Sequence, residues 1–78
     1  MRIRTACDKL AEAERSSRRW IDAHRHRASH LPSYVASFDL YLDLIRQRLA
    51  ERPADQAACR HMLVKLDRMS YEIRARMR

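Results

Sequence analysis

Two cysteines, four histidines and fifteen arginines are the side chains through which this 78-residue chain could do chemistry. Cys7 and Cys59 fall early in the first and third of three helical segments. If those segments run parallel, both thiols reach the same end of a bundle and point inward. That opens a disulfide or a shared metal site. The simpler expectation is two small buried hydrophobes, because disulfides are uncommon in the cytosol. His26 and His30 have the i,i+4 spacing that can place two imidazoles on one metal ion, but His30 lies where a helix should fray before Pro32. His24 falls on the core side near Trp20, His61 stands off the apolar stripe of its helix, and no carboxylate sits at matching spacing to complete a set. The expectation is no metal and no cofactor, with His26 and His30 complementing a helix C-terminal dipole.

The basic residues carry more information. Net charge is +7, and only Lys9 and Lys65 are lysines. Arg4, Arg15, Arg19 and His26 share the outer face of the first segment, and Arg74 and Arg78 share one side of the third. Such surfaces can follow phosphates or an acidic protein. Asp8, Glu12 and Asp22 interrupt the first of them, and several charges have an opposite partner four residues away, as in Glu14–Arg18 and Arg68–Glu72. The excess is uneven: residues 1–30 carry +4, residues 31–53 are neutral and residues 54–78 carry +3.

Catalysis finds no footing. No serine, histidine and carboxylate share an evident arrangement, and a chain without glycine cannot build a glycine-rich phosphate loop. An arginine-lined helical enzyme of the chorismate mutase kind has no residue-by-residue counterpart here. The protein is therefore expected to be a non-enzyme with no small-molecule substrate.

The elements that position these groups follow from the same absence of glycine, which removes most tight β-turn chemistry. Pro32 and Pro53 fall between periodic segments. The expected fold is all-α: a three-helix up-down-up bundle, or a hairpin of the second and third helices with a long N-terminal helix, packed in coiled-coil fashion as one domain over 1–78. The helices are expected at about 2–29, 32–51 and 54–77. Ser29 or Ser33 is a candidate cap for the second helix, and Asp55 suits the start of the third.

The second segment is the packing element. Leu31, Val35, Phe38, Leu42, Ile45 and Leu49 form a 4-3-4-3-4 ladder within an arc of about 80°. The third answers with Cys59, Met62, Leu66, Met69, Ile73 and Met77. These two should make the best-matched pair. The first helix offers Ile3, Ala6, Cys7, Leu10, Ala13, Ser17, Trp20, Ile21, His24 and Ala28, with Glu14 intruding, and small residues bury little area. It is expected to be the least self-sufficient of the three. Leu40 and Leu44 point away from the ladder, with Ser37 beside them and Tyr41 bridging toward it. A helix apolar on two sides needs two partners.

In length and plan the chain is similar to the small helical-hairpin co-chaperones of bacterial secretion systems, a similarity of architecture and not of motif. The expected function is that of a non-catalytic interaction protein, an adaptor, chaperone or inhibitor. It would bind another protein with an acidic surface, or itself as a homodimer. Its contact residues would be Ser37, Leu40, Tyr41, Leu44, Val64 and Tyr71, with Tyr41 as anchor. Arg4, Arg15, Arg19, Arg74 and Arg78 would face the anionic surface. The alternative is a small basic nucleic-acid-binding regulator, dimeric through the second and third helices. No apolar run approaches a membrane span and no secretory leader is evident, so no membrane partner and a cytoplasmic setting are expected.

Overall fold

The computed structural model describes residues 3–78 as three helices: α1 (Ala6–His24), α2 (Pro32–Glu51) and α3 (Gln56–Arg76). They pack as the three-helix, up-down-up bundle. Cys7 near the start of α1 meets Cys59 near the start of α3, and Trp20 near the end of α1 lies under Arg74 near the end of α3, so those two helices run parallel. α2 returns between them in the opposite sense. No helix among the described residues is long and apolar enough to cross a membrane.

α1 is shorter than its periodicity predicts at both ends. The predicted start at Arg2 lies outside the described residues. Thr5 is the N-cap: its hydroxyl accepts from the Asp8 N–H at 3.1 Å, and the Thr5 N–H donates back to Asp8 Oδ2 at 3.1 Å. This reciprocal capping box satisfies two otherwise orphaned donors. At the other end, His24 Nδ1 lies 2.8 Å from the Trp20 carbonyl, an acceptor the helix itself uses. Residues 25–30 then continue as turns rather than helix, held by Ala28 N–H to His24 O at 3.0 Å and Leu31 N–H to Ala28 O at 2.9 Å. Pro32 occupies the first position of α2, where its missing N–H costs nothing. Neither Ser29 nor Ser33 caps that helix; Leu31 is the N-cap, without a side-chain hydrogen bond. Asp55 does cap α3, accepting from the Ala58 N–H at 3.1 Å.

The core takes the predicted ladders from α2 and α3. Phe38, Leu42 and Ile45 are buried against Met62, Leu66 and Ile73, with Leu10 and Ile21 of α1 completing the cluster. The ranking of helices, however, is reversed. α1 makes broader interfaces with both α3 and α2 than those two make with each other. Its run of Ala6, Ala13 and Ser17 allows backbones to approach closely, so a stripe that buries modest area per residue still forms the tightest joint. The α2–α3 pair, expected to match best, is the loosest.

Two further devices fix α1. Cys7 and Cys59 are joined in a disulfide, with Cα atoms 5.1 Å apart, which replaces the expectation of two free buried thiols. The Cys7 N–H also donates to Gln56 Oε1 at 3.2 Å. Along the α1–α2 seam, Glu14 is only 4% exposed, and its carboxylate takes Arg18 at 2.9 Å and Arg46 at 3.0 Å. Arg18 reaches on to Asp43 at 3.2 Å, and Arg25 grips Asp39 with both terminal nitrogens at 2.8 and 3.1 Å. The intruding glutamate is thus the centre of a paired network rather than an uncompensated buried charge.

Candidate functional site

With α1 on one side of the α2–α3 pair, the opposite side is uncovered. Along it α2 presents Ser37, Leu44 and Arg48, and α3 presents Ala58, His61 and Lys65. Between them runs an open groove of about 340 Å³, floored by Tyr41 and Met62. A second depression continues it toward the C-terminal end of α3, lined by Tyr34, Ser37, Met69 and Glu72. The groove lies where the large side chains of α2 and α3 set their backbones farther apart than either stands from α1.

The predicted contact residues divide into three groups. Leu44, 44% exposed, stands on the groove wall, with Leu40, 70% exposed, one turn before it on the same outer side of α2. Ser37 is exposed beside them. Val64 and Tyr71, 61% and 72% exposed, lie one above the other along the outer side of α3, beyond the line of Lys65 and Glu72. Tyr41 departs from expectation. It is only 8% exposed and belongs to the core cluster, so it is not a free anchor for a partner. Its ring packs between α2 and α3 with the Lys65 ammonium 5.0 Å from its centroid, a cation–π contact that holds Lys65 over the groove. Burial raises the Tyr41 phenol above its ordinary pKa.

The groove rim is basic. Arg48 and Lys65 border it, Arg68 stands on the adjoining surface of α3, and no ion pair joins any of them to a carboxylate among the described residues. Glu72 is the acidic group on that rim. An apolar floor edged by unneutralised cations suits a ligand that is apolar along one line and negative along its flanks.

The predicted anion-facing arginines separate. Arg4 pairs with Glu12, and the shallow surface around them also carries Asp8 and Arg15, so charge of both signs is mixed there. Arg19 donates to the Ser16 hydroxyl at 3.4 Å on the outer side of α1. Arg74 and Arg78 lie far from these, where α1 and α3 end. They line a small depression with Trp20, His24, Arg27 and Met77. The outer face of α1 and the end of α3 are therefore not one surface.

The sequence reasoning passed over the α1–α2 ion network. Asp39 and Asp43 stand at i,i+4 on α2, spaced to receive Arg25 and Arg18, and Glu14 on the inner face was the visible sign that cations must approach it. Hydrogen bonds that Arg25 donates to Asp39 and Asp22 hold it protonated even more firmly than usual. For Arg18 burial works the other way, but the contacts with Glu14 and Asp43 outweigh it and raise its pKa. Among the described residues no group of three histidine, cysteine or acidic side chains is placed to hold a metal ion. Comparison with known proteins finds no matching family, curated relative or solved structure.

Proposed function

We propose that this chain is a non-catalytic interaction protein that seats an acidic, amphipathic helical segment of another protein in the groove between α2 and α3. The observation that carries the proposal is the pairing of an uncovered apolar line, Leu44 above Tyr41 and Met62 with exposed Leu40 one turn away, with the unneutralised rim of Arg48 and Lys65 and with Arg68 on the adjoining surface of α3. A helix laid in such a groove buries its apolar face and brings its acidic flanks to the cations. A second copy of the chain fits less well. An isologous contact would set each basic rim against itself in a molecule of net charge +7. The Cys7–Cys59 bond bears on the setting, because such bonds persist in oxidising compartments.

The test uses a photo-reactive residue at Leu44, with the same group at Ala23 on the exposed side of α1 as control, in the organism that encodes the protein. The expected result is an adduct specific to position 44, mapping to an acidic segment with helical apolar periodicity. Leu40→Asp with Leu44→Asp should abolish it while helix content is retained, because both side chains are exposed. Lys65→Glu with Arg68→Glu should weaken it at least tenfold. An adduct between two copies, or one equally strong at Ala23, overturns the proposal. Unfolding of the Leu40/Leu44 variant does so as well, since those residues would then be core.

A further inference from the structure

The end of the bundle where α1 and α3 finish and α2 begins collects positive charge of a different kind from the groove rim. Along α1 and the α1–α2 seam, four arginines are committed: Arg4 to Glu12, Arg18 and Arg46 to Glu14, Arg25 to Asp22 and Asp39. At this end Arg27, Arg74, Arg76 and Arg78 form no ion pair with any carboxylate among the described residues. Two of them are nevertheless held in place. The Arg74 guanidinium lies 4.6 Å from the centroid of the Trp20 ring, and that of Arg76 lies 4.5 Å from the centroid of Tyr34. Arg76 also donates to the Glu72 carbonyl at 3.2 Å. Aromatic faces order guanidiniums while leaving their N–H edges to point outward.

Helix dipoles do not balance this cluster. Two C-termini contribute about −0.5 charge each, and the N-terminus of α2 at the same end returns about +0.5. Four exposed guanidiniums exceed that several-fold, so this end carries a net positive field that attracts an anionic partner. The chemistry of the surroundings narrows what brings it. Trp20 is stacked on one side by the His24 ring, 4.8 Å away, and covered by Arg74, and Tyr34 lies under Arg76. No apolar surface comparable with Leu40 or Tyr71 is open here. A protein partner would gain little from burial, and the Trp20 ring, stacked by His24 and covered by Arg74, is not free for an unpaired base. What remains is recognition of oxygens by guanidinium forks, the chemistry of a phosphate backbone.

We infer that this basic end is a sequence-independent contact site for the phosphodiester backbone of nucleic acid, made by Arg27, Arg74, Arg76 and Arg78. It is separate from the α2–α3 groove and does not depend on the partner proposed for that groove. It also differs from a recognition-helix mode, because the contacts come from the end of the bundle: Arg27, Arg74 and Arg78 around one depression and Arg76 on the adjoining α2 side.

The experiment is fluorescence anisotropy with a labelled 20-base-pair duplex of arbitrary sequence, titrated with the intact protein from 25 to 200 mM salt. Contact with four phosphates predicts a slope of log affinity against log salt of about −3.6, unchanged when the duplex sequence is scrambled. Arg27→Gln with Arg78→Gln removes two of the four contacts without touching either aromatic stack, and should bring the slope to about −1.8. Arg15→Gln with Arg19→Gln lowers net charge equally on the outer face of α1 and should leave the slope in place. No binding at 25 mM salt overturns the inference. So does an equal loss in the two double variants, since net charge alone would then be responsible. Displacement of the duplex by polyglutamate as readily as by unlabelled duplex would assign the site to acidic protein instead.

Discussion

Tyr41 serves two neighbours at once. Its ring closes the joint between α2 and α3 on one side and carries the Lys65 ammonium on the other. A phenol in that position resists ionisation, because burial penalises the charged form and raises its pKa. The phenol is neutral in both the folded and the unfolded chain below the ordinary tyrosine value of about 10, and there the full stability is present. As pH rises through that value the unfolded chain loses its proton first, so stability falls until the folded-state pKa is passed. Urea unfolding at pH 9 and pH 11 should show a loss that Tyr41→Phe reduces. At neutral pH the same substitution should change stability by less than about 1 kcal/mol, since no hydrogen bond to the hydroxyl ties it to the bundle. Absorbance titration at 295 nm should show a component that ionises above the ordinary tyrosine range and that Tyr41→Phe removes.

Among the helices, α1 is the wedge, and its small residues are the reason. Ala13, partly buried, packs against the core on the face of α1 that carries Leu10 and Ser17, where the helix approaches its neighbours closely. Ala13→Leu should therefore destabilise the bundle by about 1–3 kcal/mol despite its added apolar area, read as a shift in the urea midpoint. Ala23→Leu, on the exposed side of the same helix, should change it little. The ladders of α2 and α3 were legible beforehand because large apolar residues at 3–4 spacing bury wherever a partner exists: all of Phe38, Leu42, Ile45, Leu66 and Ile73 do so. The place of α1 was not, since apolar area ranks a stripe of alanine and serine last, whereas closeness of approach ranks it first. Its ends were obscured for local reasons. The Thr5–Asp8 box was readable as a cap, but the apolar pattern begins earlier, at Ile3, which is exposed. After His24 the chain passes into turns, with Ser29 N–H reaching back only to His26 O, a change of hydrogen-bond pattern that no periodicity reveals. The candidate site was legible in outline: Leu40 and Leu44 were apolar off the ladder and are uncovered, while Tyr41 at the boundary fell inward.

The whole molecule is elongated, with a radius of gyration of 13.1 Å against about 11.5 Å for a compact globule of its length. An elongated small bundle has more surface per residue and a thinner core, so covalent restraint matters more. The Cys7–Cys59 bond spans a sequence separation of 52 residues and ties the first helix to the third. Loop entropy alone assigns such a link about 4 kcal/mol. For a chain of this size each kcal/mol moves the melting temperature by about 4–8 °C. Both sulfurs are buried at the α1–α3 joint, beside the N-terminus of α3, and the Cys7 Sγ lies 3.5 Å from the Asp55 carbonyl. Reduction under native conditions is therefore expected to be slow, and reduction with brief denaturation complete. After the second treatment the protein should melt roughly 15–25 °C lower, and Cys7→Ser with Cys59→Ser should reproduce that shift without reductant. Hydrogen exchange would locate the loss. Amides of α1 should lose protection first, because α1 then keeps only its close packing and its ion pairs with Asp39, Asp43 and Arg46. Equal loss across all three helices would mean that the bond supports the bundle as a unit and that α1 is not separable from it.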